Sequence, residues 1–201
     1  MARPIEKREN IEKGVVEVIA HKGLRGTTIQ DIALTAGVSP GLLYRYWKNR
    51  DDLAAEVYRE HYQTLIERLA RIAAQGTGFW ERISAIIRGF LEFADENPTV
   101  LKFLLLSQHD LQQAVPAEKG IKGFLQGMIQ SAMATGDIRT LDHNLALQFI
   151  LGIVLQPVVG ALYGDLPQPL VQHHAAIVSA LERVFVDGSS DKKECNSLYK
   201  K

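Results

Sequence analysis

Apolar residues recur three, four and seven positions apart along most of the chain, and no segment keeps apolar and polar residues in sustained alternation. This spacing places the apolar side chains on one face of an α-helix, whereas alternation is typical of a strand. The first such face comprises Ile11, Val15, Val18 and Ile19. It is followed by Lys22-Gly23, a cation and a glycine that commonly end a helix. The pattern therefore predicts an all-α protein.

Two short helices are predicted next. Thr28 and Asp31 stand three residues apart, as in a capping box, and this second helix reaches Ala36-Gly37. Ser39 is a strong N-cap residue, and Pro40 suits the first position of a third helix because proline lacks the N–H group that would stay unpaired there. The two helices and the turn between them have the pattern of a helix-turn-helix.

Six further helices are predicted after it. Each has an apolar face of helical spacing, and most have Asn, Pro or Gly near one end. Five approximate spans are 49–75, 80–96, 116–135, 145–164 and 170–181, and the helix that starts at Asn97-Pro98 carries apolar residues up to Leu105. The polar residues 187–201 are expected to form a disordered tail in which Cys195 is incidental. The expected architecture is a helix-turn-helix head followed by a helical bundle, about nine helices in all.

The segment from Leu145 to Gly164 has no charged side chain, so it meets the length and composition of a membrane span. Gln148, Gln156 and Pro157 lie inside it and no basic cluster flanks it, which favours another interpretation. In that interpretation this helix and the next are buried on nearly all sides. A chain of 201 residues cannot easily bury both alone, which predicts a homodimer through the last two helices and no membrane contact.

The protein carries no net charge, but its charges are unevenly distributed. Residues 1–50 contain nine basic and five acidic side chains, so this head is positive and the remainder is equally negative. A basic head attracts anions, and nucleic acid is the first candidate. The single cysteine excludes an intrachain disulfide, and the first residues contain no apolar leader. Together these features predict a cytoplasmic protein.

Sequence signatures of enzyme chemistry are missing: there is no His-Glu-x-x-His, no Gly-rich phosphate loop and no nucleophile elbow. The adjacent His173 and His174 would diverge by about 100° on a helix, which disfavours a shared metal and places them on the surface or at a dimer rim. His61 lies on an apolar face, where a packed histidine is more common than a ligand. We therefore expect no enzyme activity, no metal site and no cofactor.

The helix-turn-helix carries the clearest functional signal. A short second helix is narrow enough to enter the major groove of B-DNA, and the slim Pro40-Gly41 start lets its backbone approach the bases. Helix N-termini also present unpaired N–H groups to phosphate. The residues at such termini are Thr27, Thr28, Ser39 and the Lys48-Asn49 junction. Double-stranded DNA is the predicted partner.

The 27 residues from Thr27 to Leu53 resemble the signature of the TetR family. Their matching positions read Thr-Thr-Ile-x-Asp-Ile-Ala-x-x-Ala-Gly-Val-Ser-x-Gly-x-Leu-Tyr-x-Tyr-Trp-x-x-x-Asp-Asp-Leu. The resemblance implies a DNA-binding head and a larger all-helical ligand-binding body that dimerises through its last two helices. It also implies site roles: phosphate contact by Tyr44, Tyr46 and Lys48, base reading by Arg45 and close approach at Gly41.

Two positions depart from this signature. Trp47 stands where Phe is common and is expected only to enlarge the core, whereas Arg50 replaces the usual Lys and keeps the charge. Pro40 and Leu42 offer little hydrogen bonding, so base reading is expected to depend on Arg45 and van der Waals contacts.

Aromatic and Met residues of the body recur at helical spacing, which fits core packing and also fits the lining of a ligand cavity. The resemblance places an inducer pocket among the fifth to eighth helices. The candidate ligand-binding residues are Trp80, Phe90, Phe103, Gln108, Phe124, Met128, Phe149 and Gln156. The scarcity of charge there predicts an apolar or weakly polar ligand of unknown identity.

The predicted domains are a DNA-binding head at 1–50, a ligand-binding and dimerisation body at 51–186 and the polar tail at 187–201. The predicted function is a homodimeric transcriptional regulator, with repression the commoner family behaviour, that binds a pseudo-palindromic operator and is released by a small ligand. The alternative is a helical small-molecule-binding or enzymatic protein that does not bind DNA and whose head is only a docking surface.

Overall fold

The computed structural model describes residues 4–116 and 120–186, so the tail predicted at 187–201 lies outside the described residues. Nine α-helices and two 3-10 turns occupy the described part, and no strand forms within it. The helices are α1 (Pro4–Lys22), α2 (Ile29–Thr35), α3 (Pro40–Tyr44), α4 (Arg50–Ala73), α5 (Phe79–Glu96), α6 (Pro98–Leu111), α7 (Ile121–Thr135), α8 (His143–Leu162) and α9 (His174–Phe185). The 3-10 turns are Gln112–Ala114 and Leu170–His173. The all-α prediction is confirmed.

The chain divides into two compact units. The first contains the residues up to Leu69 together with Phe93–Ile121, and so includes α1, α2, α3, most of α4 and α6. The second contains Ala70–Glu92 and the residues from Lys122 onward, and so includes most of α5, nearly all of α7, and α8 and α9. The helix-turn-helix therefore shares its compact unit with α4 and α6.

The core of the first unit forms around α1, which packs against both α2 and α6. Tyr58 is almost fully buried, stacks on Tyr62 and meets the edge of Phe103 at a centroid distance of 6.0 Å. Burial raises the pKa of both tyrosines because the phenolate is poorly solvated there. His61 meets Phe103 edge-on, and burial lowers its pKa, which fits the packed histidine that the sequence predicts.

In the second unit, hydrogen bonds join its first helix, α5, to its last helix, α9. His174 lies on α9 with Nε2 2.9 Å from the Ser84 carbonyl of α5, and Arg88 lies 3.2 Å from its Nδ1. Arginine is a donor only, so Nδ1 accepts and Nε2 carries the proton. His173 Nε2 lies 3.1 Å from the Pro167 carbonyl. Both histidines are half-buried and bonded within the unit, and their expected place at a dimer rim stays a prediction.

Several helix boundaries differ from those that the sequence predicts. α3 ends at Tyr44, so the residues up to Lys48 form a turn instead of continuing the helix. α7 begins at Ile121 instead of Pro116, and the Tyr62 hydroxyl accepts the Ile121 N–H at 3.1 Å, which satisfies one backbone donor at the start of the helix. The last helix is preceded by a 3-10 turn at Leu170–His173.

Within one chain α8 is not buried on nearly all sides, and the subunit interface expected to cover the rest of it stays a prediction. Its inner side is buried, but its opposite side stays exposed, and we term that side the α8 face. The α8 face comprises Leu145, Phe149, Gly152 and Gln156, with Tyr163 just after the helix. Among the described residues α8 is the one helix long and apolar enough to cross a membrane by length and composition, and a third of its most apolar window is buried (33%).

Candidate DNA interface

The second helix begins as its sequence predicts. The Thr28 hydroxyl accepts the Asp31 N–H at 3.1 Å, and the Asp31 carboxylate accepts the Thr28 N–H at 2.9 Å. This reciprocal capping box satisfies two backbone donors at the start of α2. A hydrogen bond from Lys22 at 2.7 Å, together with those from Thr28, lowers the pKa of Asp31 to about 2. The cap is therefore a carboxylate that stays ionised at neutral pH.

The turn into the third helix requires a glycine. Gly37 has a φ of +65°, in the left-handed region that other residues rarely adopt. Ser39 then caps α3, since its hydroxyl accepts the Leu42 N–H at 3.3 Å, and Pro40 takes the first helical position. The predicted start of the third helix is confirmed.

Six exposed residues of α3 and the turn after it form one surface, which we term the recognition surface. They are Pro40, Gly41, Tyr44, Arg45, Tyr46 and Lys48. Behind them Leu43 is completely buried and anchors the helix. Tyr44 and Tyr46 are 54% and 68% exposed, although aromatic rings ordinarily bury more of their area. The structure therefore brings together six of the residues predicted to contact DNA.

Gly41 has room for a side chain. A Cβ atom built at Gly41 would meet no other atom within 4 Å, and its φ lies outside the left-handed region. Neither packing nor backbone conformation in the described part of the chain therefore requires glycine here. A glycine at such a position allows another molecule to approach the backbone closely.

Two cations of the recognition surface are available to a partner. In the part of the chain that the structure describes, no carboxylate lies within salt-bridge distance of Arg45 or Lys48. Arg8, Lys22 and Arg50, by contrast, each pair with a carboxylate. Exposed, unpaired cations beside tyrosine hydroxyls suit a phosphate backbone, which attracts positive charge and accepts hydrogen bonds.

Thr27 does not belong to this surface. It is 1% exposed, and its hydroxyl donates to the Gly23 carbonyl at 2.8 Å. Its own carbonyl accepts from Arg50 at 2.7 Å, which ties the loop after α1 to the start of α4. The predicted phosphate contact of Thr27 is therefore corrected, because its side chain is enclosed. Thr28 and Ser39 are exposed and remain predictions.

The sequence alone suggests that Trp47 only enlarges the core, but the structure also gives it a polar contact. It is half-buried, and its indole Nε1–H donates to Glu56 Oε2 at 3.0 Å. The ring also packs at a tilt against Tyr46, with 5.7 Å between centroids. Glu56 in turn accepts a hydrogen bond from Arg8 at 3.0 Å, although the two residues are 48 positions apart in the chain. Sequence reasoning missed Glu56 and Arg8, since no local pattern indicates either contact.

Comparison with known proteins gives this surface its context. Residues 13–57 match the family model of bacterial regulatory proteins, tetR family. The fatty acid metabolism regulator protein of Bacillus subtilis (strain 168) is 27% identical over 192 residues, which cover 92% of this chain and 97% of that protein. The HTH-type transcriptional repressor KstR2 of Mycolicibacterium smegmatis is 28% identical over 158 residues, covering 74% of this chain and 76% of that protein.

Among solved structures, the transcriptional regulator FadR from Bacillus subtilis in complex with stearoyl-CoA superposes with a TM-score of 0.76 and 25% identity. The superposition covers 87% of this chain and 97% of that chain. Residues 13–57 of the chain match the DNA-binding head of the TetR family. The chain is a DNA-binding transcriptional regulator, and its relatives are regulators and not enzymes. The predicted family resemblance, fold class and regulatory function are confirmed.

The candidate ligand residues of this regulator are divided between its two units. Phe103 and Gln108 belong to the first unit, where Phe103 is completely buried and Gln108 is exposed. In the second unit Phe149 and Gln156 lie on the α8 face, pointing away from the interior of the unit. Their predicted ligand roles stay predictions, and an internal pocket of this unit does not account for the exposed part of either side chain.

The other candidates lie deeper in the second unit. Trp80 donates from its indole to the Asp137 carbonyl at 3.2 Å and meets Phe79 edge-on, so packing accounts for its position. Phe90 is buried, and Phe124 and Met128 are half-buried. Among the described residues no group of three or more His, Cys, Asp or Glu side chains could hold a metal ion.

Proposed function

We propose that this regulator represses transcription as a cytoplasmic homodimer, with the recognition surface of each subunit in the major groove of a pseudo-palindromic operator. The observation that carries the proposal is the recognition surface itself: exposed tyrosines, unpaired cations and a glycine at position 41 that the fold does not require. In this arrangement Arg45 reads base edges, while Tyr44, Tyr46 and Lys48 hold phosphates. Two such surfaces would meet half-sites about 34–36 Å apart, or a multiple of that distance.

The α8 face supports the proposed dimer. It presents Leu145, Phe149 and Tyr163 at 45%, 36% and 75% exposure, and α8 itself contains no Asp, Glu, Lys or Arg. A contiguous apolar surface of this kind is ordinarily covered in a soluble protein. A second copy of the same helix is a self-complementary cover, because a two-fold axis places like residues against like.

We infer that the inducer is a long-chain acyl-CoA or a molecule of similar chemistry. One relative is named a fatty acid metabolism regulator, and the solved structure of FadR from Bacillus subtilis contains stearoyl-CoA. Phe90, Phe124 and Met128 supply apolar contacts of the kind that an acyl chain needs. A ligand that prefers a body conformation with mismatched heads would weaken operator binding by a coupling of about 1–3 kcal/mol, and operator would weaken ligand binding equally.

Operator binding is tested by titrating the full chain onto genomic fragments at several salt concentrations with competitor DNA. We expect specific fragments to survive competition and the affinity to fall steeply with salt, since phosphate contacts release counterions. Loss of all fragments to competitor would contradict the proposal. Adding stearoyl-CoA, free CoA and stearate in separate arms tests the ligand. Release of the operator by stearoyl-CoA alone supports the acyl-CoA class, whereas equal ligand affinity with and without operator contradicts the coupling.

A further inference from the structure

The segment that carries Tyr46 and Lys48 lies outside any helix. α3 ends at Tyr44 and α4 begins at Arg50. The N–H groups of Tyr46 and Trp47 both donate to the Leu43 carbonyl at 3.0 Å, which holds the turn as far as Trp47. Tyr46 and Lys48 flank Trp47 on either side, so we ask what fixes the Trp47 side chain between them.

Apolar packing does not enclose Trp47. A cleft of about 470 Å³ borders its ring, with Ile11 and Leu42 among the lining residues. Its neighbour Leu43, by contrast, is completely buried. Packing alone leaves a half-buried ring beside open space free to adopt more than one orientation, so the hydrogen bond from its indole adds a directional restraint.

The acceptor of that hydrogen bond is itself held in place. Glu56 Oε2 accepts the indole N–H of Trp47 at 3.0 Å, and its other oxygen accepts from Arg8 at 3.0 Å. Arg8 also donates to Glu12 at 2.9 Å and to Glu60, so one guanidinium joins α1 to two carboxylates of α4. The hydrogen bond to Glu12 is the main reason why the pKa of Arg8 is raised, with the nearby charges of Glu60 and Glu56 adding to it.

We propose that Glu56 is a positioning residue for DNA binding, which acts through the Trp47 indole to orient Tyr46 and Lys48 toward phosphates. Phenylalanine at position 47 would fill similar space but has no N–H to donate, so the restraint belongs to this chain's tryptophan. The inference rests on the proposed phosphate contacts of Tyr46 and Lys48. Lys48→Ala tests those contacts separately, because it removes a contact without touching Glu56.

The decisive variant is Trp47→Phe, which keeps an aromatic ring and removes the donor together with part of the ring volume. We expect operator affinity to fall by about tenfold, the effect of losing one hydrogen bond to a charged group, and the salt dependence to weaken by about one released ion. The matched control is Trp80→Phe, which removes the same donor from a hydrogen bond to the Asp137 carbonyl in the other unit. That control is expected to bind the operator like the wild type.

Glu56 is tested by Glu56→Ala and Glu56→Gln. The alanine variant is expected to match Trp47→Phe, and adding it to Trp47→Phe should cost little more, because both remove the same interaction. Glutamine keeps a carbonyl oxygen that can accept the indole N–H, so it should restore most of the affinity.

A spectroscopic readout separates positioning from folding. The chain has two tryptophans, so ¹H–¹⁵N spectra contain two indole signals that the two Phe variants assign. Glu56→Ala should shift the Trp47 signal while leaving the Trp80 signal unchanged. The inference is overturned if Trp47→Phe is folded and binds with wild-type affinity and salt dependence, or if Glu56→Ala leaves the Trp47 signal in place. If Lys48→Ala weakens binding while Trp47→Phe does not, the positioning role alone is wrong.

Discussion

The recognition surface and the α8 face are both exposed, yet their chemistry differs. The recognition surface combines tyrosines with unpaired cations, and hydrogen bonds from neighbouring helices hold the segment behind it. The α8 face is apolar, lies on a helix without Asp, Glu, Lys or Arg, and follows from helical spacing alone. Exposure is common to both, so exposure by itself does not indicate the partner. Charge does: one surface suits a polyanion, and the other suits its own copy.

Of the changes that test this comparison, placing charge on the α8 face is expected to have the largest effect. Leu145→Glu combined with Phe149→Glu would bring four carboxylates together in a symmetric interface, and such desolvated like charges are costly. We expect the molar mass in solution to fall to that of one chain, measured by light scattering. Operator affinity should fall by about 100-fold or more, because a single head contacts one half-site.

Leu106→Glu is the matched control for this change, since Leu106 on α6 is 43% exposed and Leu145 is 45% exposed. The control is expected to remain dimeric and to bind the operator normally. If the double variant also remains dimeric, α8 is not the subunit interface.

Removing the cations of the recognition surface should have the next largest effect. Arg45→Ala is expected to cost about 1–3 kcal/mol and to relax sequence preference at one operator position, since a base contact is lost. Lys48→Ala should weaken binding to all sequences alike and reduce the salt slope by about one. Fluorescence anisotropy on operator and scrambled duplexes measures both. Lys122→Ala, an exposed cation of the second unit, serves as the control. Wild-type binding by both test variants would contradict the assigned roles.

Gly41→Ala separates the needs of the fold from those of the partner. Because a Cβ atom meets nothing within 4 Å, the free energy of unfolding should stay constant or rise by about 0.5–1 kcal/mol, as alanine is the better helix former. Operator affinity should nevertheless fall, since the added methyl group would meet the DNA. Gly127→Ala, which also has open space around its Cβ position, should change stability in the same direction and leave operator binding unchanged. Undiminished operator binding by Gly41→Ala would remove the argument for close approach at this point.

The smallest effect is expected for a change that alters how stability falls at acid pH. The pKa of Asp31 is lowered to about 2 from an ordinary value of 3.8, first by the hydrogen bond from Lys22. A lowered folded-state pKa means that this contribution to stability is complete above the unfolded value and is lost as pH falls toward 2. Asp31→Asn should therefore lower the melting temperature at neutral pH and flatten its decline in that window. Asp165→Asn is the control. If the melting temperatures of the wild type and of Asp31→Asn change with pH in the same way, the proposed contribution of Asp31 is contradicted.

How much of the site the sequence predicts depends on the range of the interactions. The caps at Thr28 and Ser39 follow from residues three positions apart, and both are confirmed. The contacts of Trp47 with Glu56 and of Arg50 with Thr27 join residues of different elements. Neither could be predicted, because periodicity specifies which face of a helix is apolar but not which side chains meet across two helices.

The ligand candidates show the same limit. Helical spacing identifies aromatic residues that share one face of a helix. It does not say whether that face meets a packed core, lines a cavity or stays uncovered. Phe103 lies in a packed core and Phe149 on an uncovered side, although both satisfy the same pattern.

The sequence by itself determined the helices, the helix-turn-helix and the family resemblance, because caps, turns and periodicity act within a few residues of each other. Only the tertiary structure decided that Thr27 is enclosed, that Glu56 holds Trp47 and that α8 keeps one side open. These outcomes depend on which distant side chains share a volume once the helices pack. That choice is set by close packing and by the need of each enclosed polar group for a partner.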